Sequence, residues 1–182
     1  MVIIDGIVVQ PAPQGETPTT TSGGGIRFRG KRITTTISIV NDLFHEVSFD
    51  AAYATLFYAA FDPATRLLKY VNAGHNPPLV RRADGSVEWL ETGGAPVGMF
   101  QSWEYQEGYV MLNPGDVLVA YTDGIVEAQN VAGAEFGVGR LVEATGATTT
   151  SEISAEIWES VDKFAAGTKQ RDDMTLLVLK MW

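Results

Sequence analysis

The sequence contains no cysteine and only two histidines, His45 and His75, among its 182 residues. Without thiols it has no disulfide bond, no thiolate zinc site and no cysteine nucleophile, which fits a cytoplasmic protein. No stretch approaches the roughly 20 consecutive apolar residues that a membrane-spanning helix needs. The apolar start, residues 1–13, contains Asp5 and lacks a basic region, so we do not interpret it as a signal peptide. We therefore expect no membrane insertion.

Basic residues are also scarce, since 13 lysines and arginines stand against 22 acids and give a net charge of -9. A chain this acidic lacks the basic face that nucleic acids require, and it disfavours docking on an anionic membrane. We interpret the local basic cluster in residues 27–32 as a solvated loop. Hydrophobic residues make up 45% of the chain, enough for one domain with a core. An acidic balance of this kind suits divalent cation sites.

The first third of the chain has few regular patterns. Residues 2–9 predict one short buried strand, interrupted at Asp5, and the Pro-, Thr- and Gly-rich residues 11–25 predict a loop or a disordered connector. Residues 34–45 predict a helix with Thr34 or Thr35 as its N-cap. Its apolar residues at helical spacing are Ile37, Val40, Leu43 and Phe44.

From residue 53 the pattern changes to short strands separated by turn signals, which predicts antiparallel neighbours over residues 53–123. Residues 134–145 predict a short helix. Residues 152–166 predict a longer helix, capped by Ser151, whose inward face is Ile153, Ile157, Val161 and Phe164. The last strand, residues 174–181, is apolar on both faces and is predicted to be central. These elements indicate an α+β layered fold in which helices cover sheet faces.

Two acids stand at strand ends. Asp123 follows the strand 116–121, and Asp172 precedes the final strand. If those strands are neighbours, the two carboxylates meet at one end of the sheet, where Mg²⁺ or Mn²⁺ would explain their proximity. The alternative interpretation is that each aspartate is a turn former.

Two further polar segments interrupt apolar strands. In residues 70–80, His75 is interpreted more readily as a structural hydrogen-bonding group than as a ligand or a base. Residues 92–100 form a glycine-rich loop that suits a flap over a site, and they lack the lysine and following helix of a phosphate-binding P-loop.

In combination, several motifs resemble the metal-dependent protein phosphatase (phosphatase 2C) superfamily, and in particular its bacterial branch of sporulation stage II protein E-like phosphatases. They lie in the expected order over residues 53–182: "YATLFYAAFDPATRLLKYVNAGHNPPLV", "GGAPVGM", "LNPGDVLVAYTDGIVEAQN", "EFGVGRL" and "RDDMTLLVL". The resemblance implies a sandwich of two antiparallel sheets flanked by helices. It also implies two Mn²⁺ or Mg²⁺ ions whose bridging water attacks phosphoserine or phosphothreonine.

By the same resemblance, Asp123 and Asp172 match metal-ligand positions, Gly124 accompanies Asp123 in the metal site, and His75 lies near the site. The family also carries a metal-bridging aspartate in a Gly-Asp segment followed by further glycines. Asp5 is the sole candidate for that role, in a segment that lacks those glycines. We therefore treat residues 1–33 as a degenerate or replaced segment and residues 34–182 as the phosphatase 2C-like domain, which we expect to be incomplete at its N-terminus.

Three functions follow as hypotheses. The first is a serine/threonine phosphoprotein phosphatase that acts on a phosphorylated, anti-anti-sigma-like regulator. The second is a catalytically impaired phosphatase-like module that binds a partner. The third, a metal-independent hydrolase using His75 with an aspartate, ranks last because no serine has a nucleophile-elbow setting. The strands missing at the N-terminus would leave an exposed edge, which favours association into a homodimer.

Overall fold

The computed structural model describes residues 32–47 and 52–182 with side chains, and four N-terminal strands by their backbone alone: 2–4, 7–11, 18–20 and 26–28. The chain divides into two compact units. The first comprises residues 1–75 and 91–111, and the second comprises residues 76–90 and 112–182. The boundary predicted between residues 33 and 34 stays a prediction.

The described residues form the following strands and helices. The strands are β1 (Val2–Ile4), β2 (Ile7–Pro11), β3 (Pro18–Thr20), β4 (Ile26–Phe28), β5 (Leu56–Asp62), β6 (Leu67–Ala73), β7 (Leu79–Arg81), β8 (Val87–Trp89), β9 (Gly93–Gly94), β10 (Gly108–Met111), β11 (Val117–Tyr121) and β12 (Leu176–Lys180). The helices are α1 (Ile33–Val47), α2 (Asp123–Val126), α3 (Gly137–Glu143) and α4 (Thr150–Phe164). The predicted α+β class, with antiparallel sheets and helices, is confirmed.

The sheet of the first unit has the order β1-β2-β5-β6-β10, with β9 pairing beside β6. Most of its ladders are antiparallel, but β2 pairs with β5 and β6 pairs with β9 in parallel. The β6–β9 ladder departs from the prediction of antiparallel strands throughout residues 53–123. Glycine makes this pairing possible, because a Cβ on Gly93 would lie 1.9 Å from the carbonyl oxygen of Asn72.

The N-terminal strands differ from the sequence-based expectation. Residues 2–9 were expected to form one strand, but β1 and β2 are two strands that pair antiparallel, with Ile4 opposite Ile7. Part of the predicted loop is also regular, because β3 pairs with β4. Backbone hydrogen bonds between neighbouring segments determine both results. Strands this short do not show a side-chain periodicity from which they could be predicted.

Helix α1 packs on the first unit's sheet through a face that includes Ile37, as predicted, but is rotated away from Val40 and Leu43. Its buried residues are Ile33, Ile37 and Asn41, whereas Val40 is 38% exposed and Leu43 is 56% exposed. The helix begins at Ile33, so Thr34 and Thr35 lie in its first turn and neither is the N-cap. The helix itself was predicted correctly, but its orientation is set by the buried amide of Asn41.

Asn41 ties α1 to the loop that follows β9. Its Nδ2 donates to the Phe100 carbonyl oxygen (3.0 Å), and its Oδ1 accepts from the Gly98 amide (2.9 Å) and the Tyr105 hydroxyl (3.2 Å). Burial, with a smaller effect from the Asp42 charge, raises the pKa of Tyr105 to about 12, so this hydroxyl remains a donor at neutral pH. A fully bonded amide explains how a polar side chain occupies a position with no exposed surface.

The second unit has a sheet of order β12-β11-β7-β8, and all its ladders are antiparallel. Every residue of β11 is buried. The core of this unit combines β7 and β11 with all three of its helices: Leu79, Val117, Val119, Tyr121, Ile125, Ala128, Phe136, Leu141, Ala144, Ile153, Ile157 and Val161. Apolar burial on this scale is what fixes α4 against the sheet.

Strand β12 is an edge strand of this sheet, so the prediction of a central position is wrong. Each of its five residues is partly exposed. Leu176 and Val178 pack against the core described above, while Leu177 and Leu179 alternate with them and occupy the other face. The continuous apolar run of β12 is therefore explained by partial burial of both faces of the strand, and not by a neighbouring strand at each of its edges.

Helix α4 and the shorter α3 lie where they were predicted. The cap of α4 is Thr149, however, and not Ser151. The Thr149 side chain accepts from the Glu152 amide, and the Glu152 carboxylate accepts from the Thr149 amide, which together form a capping box. Within the part of the chain that the structure describes, no helix has both the length and the apolar character needed to cross a bilayer.

Replacing Asn41 by alanine is expected to destabilise the protein by about 3 kcal/mol, because the Gly98 amide and the Phe100 carbonyl each lose a buried partner. Urea unfolding followed by circular dichroism measures the change. Thr35→Ala, at an exposed position of the same helix, is the control and should change stability by no more than about 0.5 kcal/mol. A loss below about 1 kcal/mol for Asn41→Ala would contradict the role given to this amide.

The two candidate caps of α4 make a matched pair. Thr149→Ala removes the side chain that accepts from Glu152, and it should cost about 1 kcal/mol of unfolding free energy. Ser151→Ala lies inside the helix and should be close to neutral. The opposite ranking in thermal or urea unfolding would show that Ser151, as the sequence suggested, is the cap.

Candidate metal centre

Strand β11 ends where its antiparallel partner β12 begins, at the ladder pair Tyr121 with Leu176. Three hydrogen bonds continue the pairing beyond this pair. The Thr122 amide donates to the Thr175 carbonyl oxygen (3.1 Å), and the Thr175 amide donates to the Thr122 hydroxyl (2.8 Å). The same hydroxyl donates to the Asp173 carbonyl oxygen (3.1 Å). The segments that carry Asp123 and Asp172 are thereby held side by side at one end of the sheet.

Gly124 allows this close approach. It is buried in α2, and a Cβ there would lie 2.4 Å from the carbonyl oxygen of Asp173 and 3.3 Å from that of Asp172. Contacts this short involve backbone atoms, which cannot rotate away. Any side chain at position 124 would therefore push the two acid-bearing segments apart.

Both acidic side chains are exposed at this end of the sheet. One oxygen of each carboxylate accepts the amide of the next residue, at 2.9 Å for Asp123 and Gly124 and at 2.8 Å for Asp172 and Asp173. These bonds orient the carboxylates locally. Neither acid forms an ion pair with a residue that the structure describes, although Lys169 and Arg171 line the same groove as Asp172.

The chemistry of this pair matches a hard divalent cation only in part. Carboxylate oxygens are what Mg²⁺ and Mn²⁺ prefer. Across the residues described, however, no three acids or histidines come together as a metal-binding group. Two ions that share one water need a ligand that spans them, and the described residues do not fit such a two-ion centre. Asp5 lies outside them, so its assignment stays a prediction, as do the metal roles of Asp123, Asp172 and Gly124.

His75 belongs to the first unit, whereas both acids belong to the second. Its ring is buried, and the ring Nδ1 lies 3.3 Å from the Thr55 hydroxyl. Its amide donates to the Asn72 side chain at 2.8 Å, which fixes the turn after β6. These contacts support the structural interpretation of His75, and its expected place near the site stays a prediction.

A groove of about 420 Å³ opens beside Asp172. One wall is α2 with the residues after it, and the other is the end of α4 with the loop that leads to Asp172. Its polar lining includes Glu127, Gln129, Asp162, Lys169, Arg171 and Asp172. The Thr168 hydroxyl lies 2.6 Å from the Gln129 carbonyl oxygen, which anchors the loop to the opposite wall. Asp172 thus lines an open, charged groove beside the candidate site.

Sequence reasoning singled out the acids but missed Thr122 and Thr175, which join their segments. The signal was present, since one threonine directly precedes "DG" and the other follows "DDM". A hydroxyl next to a strand end readily bonds to neighbouring backbone groups. Only the pairing of β11 with β12 shows that the two threonines bond to each other.

Gly124→Ala is expected to destabilise the protein by at least about 2 kcal/mol, because the added methyl group overlaps buried backbone. The matched control is Gly139→Ala in α3, where nothing lies within 4 Å of the added carbon. That change should stabilise the protein by about 0.5 to 1 kcal/mol through helix propensity. Equal effects of the two substitutions on urea unfolding would contradict the close approach described above.

A family model and several known proteins match most of this chain. The family model described as stage II sporulation protein E (SpoIIE) matches residues 24–182. The protein IcfG of Synechocystis sp. is 30% identical over 146 residues, which are 79% of this chain and 23% of that protein. The phosphoserine phosphatase RsbU of Bacillus subtilis is 28% identical over 139 residues, which are 74% of this chain and 41% of that one. The chain thus covers less than half the length of either relative.

Solved structures support the same fold. The PP2C phosphatase domain of Bacillus subtilis SpoIIE, solved with a fragment of its regulatory domain, matches with a TM-score of 0.69 at 22% identity, over 84% of this chain and 45% of that one. The phosphatase domain of the same protein presoaked with manganese matches with a TM-score of 0.60 at 23% identity, over 84% and 66%. The chain therefore belongs to the SpoIIE family of PP2C-type protein serine/threonine phosphatases.

Proposed function

We propose that the chain acts as a metal-dependent serine/threonine phosphoprotein phosphatase in bacterial partner-switching signalling. The observation that carries this proposal is the pair of acids, Asp123 and Asp172, on segments joined through Thr122 at one sheet end. Family membership gives the pair its chemical meaning, since one relative is a phosphoserine phosphatase and another phosphatase domain was presoaked with manganese.

Asp123 and Asp172 are the residues that would hold Mn²⁺ or Mg²⁺, and their exposure leaves them accessible to an ion from solvent. Such an ion, when bound, supplies charge that neutralises phosphoryl oxygens and activates water at neutral pH. The protein's own contribution is positional. Thr122 and Gly124 keep the acids adjacent, so that a cation relieves the repulsion between them.

The proposed substrate is a phosphorylated regulatory protein of the anti-anti-sigma type, in the cytoplasm. The groove beside Asp172 supports an exposed substrate group such as one on a protein surface, because it opens to solvent and charged side chains line it. Lys169 and Arg171 lie in the wall next to Asp172 and provide positive charge for a phosphorylated, acidic partner.

A second candidate is a phosphatase-like module that binds the phosphoprotein and turns it over poorly. The observation favouring it is ligand number, because the described residues hold two acids at this site and no third. Loss of a bridging ligand weakens metal binding strongly. The two candidates share the same surface and differ in turnover.

The first candidate predicts robust Mn²⁺-dependent hydrolysis of an aryl phosphate or a phosphoserine peptide, whereas the ligand number that favours the second predicts little hydrolysis by this polypeptide. Asp123→Asn should weaken Mn²⁺ binding by about 10-fold or more, as loss of a charged ligand requires. Calorimetry measures the binding, and phosphate release with and without Mn²⁺ measures the turnover. Asp5→Asn is assayed in parallel, because Asp5 is the remaining candidate for a bridging acid.

The outcomes separate the possibilities. Robust turnover that survives Asp5→Asn and is lost in Asp123→Asn contradicts the view that a bridging acid is lacking. Turnover lost in both variants identifies Asp5 as the bridging ligand. Wild-type Mn²⁺ affinity and turnover in both Asp123→Asn and Asp172→Asn would place the metal elsewhere and overturn the proposed site. Glu135→Gln, at an exposed position outside the groove, is the matched charge control.

A further inference from the structure

A second cavity, of about 220 Å³, opens at the opposite end of the second unit's sheet. It lies beside Val117, where β11 begins, whereas Asp123 follows the residue at which β11 ends. Its charged lining residues are Arg81, Arg82 and Lys180, and no aspartate or glutamate lines it. In a chain with 22 acids and 13 basic residues, a depression with this lining is unusual.

Arg81 and Lys180 are brought together by strand register. Arg81 of β7 and Lys180 of β12 both pair with Val117 of β11, one from each side. Directly opposed residues of antiparallel strands project from the same sheet face. The two Cα atoms are thus separated by two strand spacings, about 10 Å. Long side chains at that separation reach a common point above Val117.

The two cations have neutral partners only. Arg81 donates through Nη1 to the Val142 carbonyl oxygen and the Thr145 hydroxyl, both at the long distance of 3.3 Å. The Lys180 ammonium donates to the Thr148 carbonyl oxygen at 2.5 Å. Neither forms an ion pair with a residue in the described part of the chain. Both positive charges are therefore stabilised by carbonyl and hydroxyl dipoles and by the solvent in the cavity.

Arg82 shows the contrasting arrangement in the same lining. Its guanidinium donates to Asp116, at 2.6 Å, and to Glu88, so its charge is compensated twice. The Glu152 carboxylate is close enough to Lys180 for an electrostatic effect, but it accepts a hydrogen bond from the Thr149 amide in the α4 capping box. Hydrogen bonds with Thr149 chiefly, and the Lys180 charge to a smaller extent, lower the pKa of the Glu152 carboxyl. The cavity itself keeps two uncompensated positive charges.

We propose that this cavity binds a tetrahedral oxyanion, free phosphate or the phosphate group of a phosphomonoester, between Arg81 and Lys180. The guanidinium offers a planar fork of donors and the ammonium a mobile point charge, and both geometries suit phosphate. The volume equals that of about seven waters at ~30 Å³ each, which leaves space for the anion and a few waters. Gly85, Gly115 and Gly146 in the lining keep this space clear of side chains.

Phosphate binding at this position is separate from chemistry at the acid pair, so its test requires no turnover. Phosphate is titrated into the 182-residue chain in metal-depleted buffer, with chloride holding ionic strength constant, and binding is followed by calorimetry and by thermal unfolding. Without metal, Asp123 and Asp172 repel phosphate, and the amide shifts described below distinguish binding in this cavity from binding at Lys169 and Arg171 in the groove. We expect saturable binding and a rise in unfolding temperature with phosphate concentration.

The double substitution Arg81→Gln and Lys180→Gln should weaken phosphate binding at least about tenfold, as loss of a hydrogen bond to a charged group predicts. Lys163→Gln removes one exposed charge from α4, outside this cavity, and should bind phosphate like the wild type. Lys180→Gln alone, at the partly exposed edge strand, provides the measurement if the double variant does not fold.

Amide shifts in ¹H–¹⁵N spectra locate the ligand, and we expect them at Gly146 and Thr148. Phosphoserine is titrated in parallel. Binding of both ligands means that the phosphate group of a phosphoprotein suffices, and binding of inorganic phosphate alone means that the site takes the free ion. Absence of saturable binding to the wild type, or equal affinity in wild type and the folded Gln variant, overturns the proposal. In that case Arg81 and Lys180 serve to pin residues 145–148 to the sheet.

Discussion

The antiparallel pairing of β11 with β12 is the constraint on which the candidate site depends. Asp123 and Asp172 are far apart in sequence, and both are exposed, Asp123 at the start of α2 and Asp172 in the loop before β12. They become neighbours because the ladder from Val117 to Tyr121 is extended by the bonds between Thr122 and Thr175. These bonds continue the fully buried strand β11, and hydrogen bonds are stronger in such low-dielectric surroundings than in water.

Small residues convert this pairing into close contact. Gly124 allows one acid-bearing segment to lie against the other, just as Gly93 allows β9 to lie against β6 in the first unit. In both places backbone meets backbone, so no rotamer change relieves the overlap that a side chain would create. Hydrogen bonds from polar side chains then hold the segments in place, from Thr122 beside the acids and from Asn41 on the buried face of α1.

The second unit's sheet is electrically polarised along its strands. Exposed acids lie at the end where β11 stops, and Arg81 with Lys180 lies where β11 starts. Opposite charges at opposite ends of one short sheet do not neutralise each other through direct contact. The two proposals follow this polarity, since they assign a cation to the acids and an anion to the basic residues.

Local sequence patterns were enough to predict the α+β class and α4 with its buried face, and they singled out the two acids as candidate metal ligands, which stays a prediction. These depend on local signals: apolar periodicity, turn formers, and motifs carried by a few adjacent residues. Only the tertiary structure decided that Asn41 rather than Leu43 faces inward, that β12 is an edge strand, and that Thr149 caps α4. It also brought Arg81 and Lys180 to one cavity. Register, burial and hydrogen-bond partners depend on residues distant in sequence, and no local pattern records which segments will meet.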